Sequence, residues 1–464
     1  MATTAAVPSA TIAARIDRLP SSRYVRHLIL LLSLGGCFEF YDLFFTAYIA
    51  PGLFRSGIFT ATTKALFGIE GFASFVAALF AGLFVGTIVF SQLSDRHGRR
   101  SIFTFSLLWY SVCTFIMAFQ STAMGIDIWR FIASIGIGVE LVNIDTYISE
   151  LVPKETRGAA FAFNQFVMFC VVPIVAFISW LLVPQSPFGI DGWRWVVAIG
   201  AAGAVFIWWI RLGLPESPRW LAQHGRHDEA ARIMEDIEQR VQNETGQPLP
   251  APQMLADETD SAKGSWAEIW SPAFIRRTIV LIVFNLFQTV GYYGFASWVP
   301  TLLIAKGITV TKSLEYTFII AVANPFGPLI GRKFADRFER KWQVAWAAIA
   351  IAVLGLVFSQ QTVGFWIIVV GILVTLANNW MSFAFHAYQA ELYPTRIRAQ
   401  AVGFVYSWSR FSAIFSGFMI AFFLKGYGNT GVFTFIALCM VVVFVAVGGF
   451  GPRTTRQRLE QIAR

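Results

Sequence analysis

Charge is scarce in this sequence. Only 14% of its 464 residues are Asp, Glu, Lys or Arg, while 56% are hydrophobic and 16% aromatic. A soluble protein carries roughly 25% charged residues. The shortage excludes one or two soluble domains and points to a chain that crosses a membrane many times. Cysteine is scarce as well: Cys37, Cys113, Cys170 and Cys439 lie far apart, each inside an apolar run. No disulfide framework and no Cys/His zinc site follows from such spacing. No metal cluster, GxSxG, Walker loop or Rossmann glycine pattern appears, so neither an enzyme nor a cofactor is expected. His224 and His227 form an HxxH pair in a polar segment and read as a solvated face. The first 20 residues lack a long apolar core, which excludes a cleavable signal peptide and leaves a short cytoplasmic tail. The net charge of +9 calls for no nucleic-acid partner, because its distribution accounts for it.

Long apolar runs are what the sequence does have. A membrane span needs about 20 mostly apolar residues, and more when tilted. Twelve runs qualify: 26–53, 69–93, 101–121, 125–151, 158–184 and 193–213, then 276–304, 314–336, 343–361, 364–392, 398–424 and 430–450. Between the sixth and the seventh lies the one long polar segment, with an amphipathic, helix-prone stretch HDEAARIMEDIEQRVQNE. The expected domains are a tail over 1–25, a six-helix half over 26–213 and a linker over 214–275. A second six-helix half follows over 276–451, then a tail over 452–464. The fold class is an all-α membrane protein.

Placing both termini in the cytoplasm puts 28 of the 36 Lys and Arg residues on that side. The other side holds six, and Arg130 and Arg410 fall inside spans. This asymmetry follows the positive-inside rule. The halves also repeat. SDRHGRR at 94–100 matches ADRFERK at 335–341, and ELVPKETRG at 150–158 matches ELYPTRIRA at 391–399. Both pairs keep one offset of 241 residues. Two parallel six-span halves around a central site are a transporter architecture.

These motifs resemble the major facilitator superfamily, whose cytoplasmic signature SDRHGRR and its repeat are similar to. RFIASIGIG…YISELVPKETRG over 130–158 and LPESPRWL over 214–221 resemble its sugar-porter and organic-ion branch. GVELVNIDTYISE over 138–150 and SWSRFSAIFSGF over 407–418 look most like bacterial niacin, aromatic-acid and related metabolite:proton symporters. The pattern departs from the family at Ser91 and Glu339, where glycine is usual. Span seven also lacks the paired glutamines of sugar porters. The resemblance implies the major facilitator fold, a monomer in a plasma or inner membrane, and small-molecule transport coupled to protons. An organic acid is the favoured cargo. Sugar or polyol symport, and proton-antiport export of drugs or aromatics, remain as alternatives.

Two acids, Glu39 and Asp42, interrupt span one. A bare carboxylate at mid-membrane costs about 3 kcal/mol on lenient scales, and such residues are functional candidates by default. Three positions apart, they share a helix face. By resemblance, the FYD at 40–42 aligns with the proton-binding FGYD of sugar porters, so Asp42 is expected to carry the proton. The alternative is a packing acid that never titrates. Glu39 is the second candidate. Arg130 opens span four and is the partner that the resemblance gives to Asp42.

The remaining candidates line a possible ligand site. Asp145 and Glu140 can share a broad face with Arg130, and Glu140 can equally serve to balance its charge. Arg410 stands alone in span eleven and needs either a protein acid or an anionic ligand. His386 occupies the repeat position of Asp145 and titrates near neutrality. Gln165, Gln288, Asn285, Tyr292, Tyr293 and Trp380 complete a pocket of amides and aromatics. By resemblance the signature loops form a cytoplasmic gate: Asp95, Arg96, Arg99, Arg100, Glu150 and Arg157, repeated by Asp336, Arg337, Arg340, Glu391 and Arg398.

Overall fold

The computed structural model describes residues 9–153, 156–203, 206, 209–210, 213–252, 266–334, 338–393 and 395–453. The side chains of 9, 10, 88–95, 141, 142, 266, 331–334, 390, 395, 396, 398 and 399 lie outside the described ones. Nearly everything described is helical. Backbone groups in hydrocarbon must bond within their own segment, and the helix achieves this.

The first half holds α1 (Ser9–Asp17), α2 (Arg23–Arg55), α3 (Phe72–His97), α4 (Arg99–Ala118), α5 (Ala123–Leu151), α6 (Arg157–Leu182) and α7 (Gly192–Ala201). The linker contributes α8 (Pro218–Gln223) and α9 (His227–Thr245). The second half holds α10 (Ile275–Ala296), α11 (Val299–Ala305), α12 (Val310–Ala321), α13 (Phe326–Phe334), α14 (Arg340–Gln360), α15 (Gly364–Glu391) and α16 (Thr395–Val443). Among the described residues, eight helices are long and apolar enough to cross a membrane, and α16 alone carries spans eleven and twelve.

Several spans are not single helices. Span seven breaks after Ala296 and restarts at Val299, with Pro300 in its first turn. Span eight breaks between Ala321 and Phe326, where Pro325 has no N–H to give the preceding turn. Spans eleven and twelve part at Gly428, whose φ of 63° suits a residue without a Cβ.

Spans two and four approach backbone to backbone. A Cβ at Gly82 would meet the Phe131 carbonyl, and one at Gly86 the Ile135 carbonyl. Small residues at such crossings let α3 and α5 pack without intervening side chains. The halves meet through α3 against α16, and through α6 against α12 and α13.

The N-terminal segment corrects the expectation of a plain tail. Ser9–Asp17 is a helix that packs against α8 and α9. Its Ile12 and Ile16, with Leu19 beyond it, are buried, because four-residue spacing puts both isoleucines on one face. The linker is itself divided. Its first part packs on the first half, whereas the turn Trp266–Trp270 docks on α10 and α16 of the second.

Candidate functional site

Asp42 and Arg130 are brought together at the centre of the first half. Arg130 Nη1 donates to Asp42 Oδ2 at 2.6 Å, and Nη2 donates to the Asp42 carbonyl at 2.8 Å and to Thr46 Oγ1 at 2.6 Å. Thr114 Oγ1 donates to the other carboxylate oxygen at 3.0 Å. The guanidinium lies 4.7 Å from the Phe45 ring centroid and 5.4 Å from that of Phe75. Asp42 is 1% exposed and Arg130 0%. A buried ion pair is stable only when its geometry is good and the leftover groups are bonded. Thr114 bonds the second carboxylate oxygen and Thr46 bonds Nη2, while Arg130 Nε has no hydrogen-bond partner among the described residues. Asp42 and Thr46 are four apart and share a face, a spacing legible in the sequence. Thr114 comes from another helix and left no such sign.

Glu39 is 0% exposed, and neither of its carboxylate oxygens has a hydrogen-bond partner among the described residues. It lies within electrostatic reach of Glu140, Arg410, Asp145 and Asp42. Glu140 is also fully buried and takes a short hydrogen bond from Ser106 Oγ. The structure therefore puts Glu140 against span three, away from solvent. It makes no ion pair with Arg130, whose partner is Asp42.

Arg410 is 6% exposed. Its Nη1 donates to Tyr293 Oη at 3.1 Å and its Nη2 to Tyr406 Oη at 3.2 Å, with the guanidinium 5.1 Å from the Tyr406 ring centroid. Among the described residues no carboxylate stands within ion-pair distance of it. Tyr406 escaped the sequence reading, although its place one turn before Arg410 was a signal. Its ring is 5.6 Å from that of His386, and it lies within electrostatic reach of Asp145 and Glu39. His386 Nδ1 bonds to the Ser382 carbonyl at 2.7 Å, which leaves Nε2 as its outward nitrogen. The side chains of His386 and Asp145, one repeat apart, both reach solvent. Glu39, Asp145, Tyr293, His386, Tyr406 and Arg410 thus gather into one polar cluster drawn from both halves.

The other candidates divide. Gln165 is partly exposed. Gln288 and Asn285 are buried and bond within their own helix, to Thr289 Oγ1 and the Leu281 carbonyl. Tyr292 packs edge to face on Tyr293, with ring centroids 5.0 Å apart, and lines a narrow pocket with Phe44, Tyr48, Asn324 and Asn378. Trp380 is a correction. It lines a groove with Trp342, Trp346 and Phe338 between spans eight, nine and ten, where the exposed Trp346 marks the outer surface. Its helix turns it to a different face from His386, six residues on.

At the linker face, Arg99 donates to Glu150 at 3.0 Å through Nη2, and Arg340 pairs with Glu391. Each pair stays within one half. Arg157 donates to the Val152 carbonyl at 3.4 Å, and Arg96 is exposed. Asp336 and Arg337, and the side chains of Asp95 and Arg398, lie outside the described residues. Glu216 was missed. Its carboxylate accepts from the backbone N–H groups of Arg99 at 2.9 Å and Arg100 at 3.1 Å. An acid is favoured at a helix N-terminus, where donors have no partner in the helix. Gly98, at φ 93°, lets that carboxylate approach.

Two halves of membrane-spanning helices around a shared polar cluster define a transporter of the major facilitator type. The model of the family described as sugar (and other) transporter matches residues 28–464. A Bacillus subtilis chain named as a metabolite transport protein, YyaJ, is 32% identical over 97% of this chain and 98% of its own length. The niacin transporter NiaP of Acinetobacter baylyi is 27% identical over 97% and 98%. Among solved structures, the E. coli xylose transporter XylE in a partially occluded inward-open conformation superposes with a TM-score of 0.71. It is 22% identical and covers 94% of this chain and all of its own. The chain belongs to the sugar (and other) transporter family of the major facilitator superfamily. It is an integral membrane transporter and not an enzyme.

Proposed function

We propose that this transporter couples proton movement to the uptake of a small organic acid by alternating access. Arg410 carries the argument. A guanidinium taken out of water needs an anion, and here its nearest partners are two neutral phenols. The planar fork suits a carboxylate, and the cluster beside it reaches solvent at His386 and Asp145. Niacin, for which one relative is named, is itself a carboxylic acid. Asp42, Glu39 and Arg130 handle the proton. Protonation of Asp42 would weaken its pair with Arg130 and favour the state in which they separate. The linker face is cytoplasmic by its excess of Lys and Arg, and the protein works as a monomer.

A second reading, sugar symport, draws support from Gln165, which is partly exposed and makes no hydrogen bond among the described residues. A thermal-shift panel separates the two. Nicotinate and benzoates at ten times their dissociation constants should add about 1.4 kcal/mol of stability. The shift should vanish in Arg410→Ala. Shifts with neutral sugars that survive Arg410→Ala and are lost in Gln165→Ala would establish the second reading instead. In oriented vesicles, an inward proton gradient should drive uptake; gradient-driven efflux would make the protein an exporter.

A further inference from the structure

The groove that holds Trp380 is outside the transport site and calls for its own occupant. It encloses about 720 Å³ and runs from the linker face toward mid-membrane. Its walls are Gly327 and Ile330 of span eight, Phe338, Trp342, Trp346 and Ala350 leading into and along span nine, and Leu376 and Trp380 of span ten. The lining is almost wholly apolar. At its linker end stand cations. Lys341 Nζ lies 5.3 Å from the Trp342 ring centroid, with Arg276 and Arg453 in electrostatic reach. Among the described residues, none of these three has a carboxylate within ion-pair distance. Arg340 is already held by Glu391. Glu339 is the one charged residue among the described lining of the groove, and the three cations stand beside that lining rather than in it.

We propose that this groove binds an anionic phospholipid from the linker-side leaflet. One acyl chain lies along Trp342, Trp346 and Trp380, and the phosphate sits among Arg276, Lys341 and Arg453. Three features select this occupant. The groove is deep and apolar, which suits an acyl chain. Its mouth is at headgroup level, where tryptophan rings settle. Its mouth is also cationic, and basic pockets between helices on that side take anionic headgroups. A zwitterionic lipid would fill the groove equally well but would gain less from the three cations, because its own ammonium group offsets the phosphate charge.

Tryptophan quenching by brominated lipids tests the site. The full-length protein is reconstituted into phosphatidylcholine vesicles with a small, fixed share of either dibrominated phosphatidylglycerol or dibrominated phosphatidylcholine. The brominated anionic lipid should quench more at equal share. Arg276→Gln with Lys341→Gln should reduce its preference by about twenty-five-fold, from about fivefold per cation. Arg276→Lys with Lys341→Arg should keep it. Trp342→Leu with Trp380→Leu should remove the excess quenching itself. Equal quenching by both lipids overturns the proposal, as does an excess that survives the double Gln variant. Inorganic phosphate that stabilises the detergent-purified protein as much as phosphatidylglycerol would make this a free-phosphate site, and that too overturns it.

Discussion

At the residue scale the Asp42–Arg130 pair dominates. Removing one partner from a buried pair leaves the other charge uncompensated, at a cost of about 3–5 kcal/mol, whereas removing both for apolar residues can be nearly neutral. Asp42→Asn should therefore lower the thermal stability markedly, and Asp42→Leu with Arg130→Met should recover most of it. Equal losses in the single and the double variant would mean that the pair is not what holds spans one and four together. Both charges were legible in the sequence because a charge in an apolar run is conspicuous, while their pairing came from the family resemblance. Their helpers were less so. Thr46 could be read from its four-residue step, but Thr114 and Ser106 are ordinary hydroxyl residues that sequence position alone cannot place against an acid. Trp380 misled for the opposite reason. A tryptophan suits both a ligand pocket and the lipid boundary, and only the turn of the helix decides between them.

At the element scale the twelve runs marked their helices well, since hydropathy reports what the bilayer demands. What it could not report was docking outside the membrane. The clasp between α1 and α9 is made of charges that look like any solvated face. Arg15 Nη2 donates to Glu238 Oε2 at 2.8 Å and Arg18 Nη2 to Oε1 at 2.6 Å, while Arg219 reaches Asp17 at 3.3 Å. Glu244 accepts from the Tyr24 N–H at 2.9 Å and so ties α9 to the start of span one. Partial burial pushes the Glu238 carboxyl up, but the hydrogen bonds and charges of Arg15 and Arg18 outweigh this and hold it below its usual range. A depressed carboxyl contributes stability that is present above its unfolded value, near 4.3, and fades as the pH falls through the lower folded value. The hydrogen-exchange protection factors of residues 9–17, taken relative to intrinsic exchange at each pH, should thus stay high from neutral pH down to about 5 and fall below about 4. Glu238→Gln should lower that protection at neutral pH, by an amount matching about 1–2 kcal/mol after allowance for solvent, and should converge with the native chain below about pH 4. Protection that is flat across this range, or unchanged in Glu238→Gln, would show that Ile12, Ile16 and Leu19 hold the helix without the charges.

At the scale of the whole molecule, the halves close on each other at the face opposite the linker. Phe72 and Trp298 meet edge to face with centroids 5.3 Å apart, Trp180 stacks on Phe318 at 5.9 Å, and Lys425 Nζ stands 3.6 Å from Glu70. The exposed ion pair contributes little, so the aromatic contacts carry this closure. At the linker face the described ion pairs Arg99–Glu150 and Arg340–Glu391 each stay within one half. On the alternating-access mechanism proposed above, the arrangement would be one end state of the cycle, and the repeat of 241 residues would give each half similar loops with which to close the other end. If this face must open for each turnover, holding it shut stops transport. Phe72→Cys with Trp298→Cys, in a chain whose four native cysteines are replaced by alanine, should react with a short bifunctional thiol reagent and lose nearly all uptake. Either single variant should keep its uptake after the same treatment, and a reducible reagent should restore the double variant on reduction. Full uptake by the cross-linked protein would mean that this face never opens, and the transport path would have to lie elsewhere than between the halves.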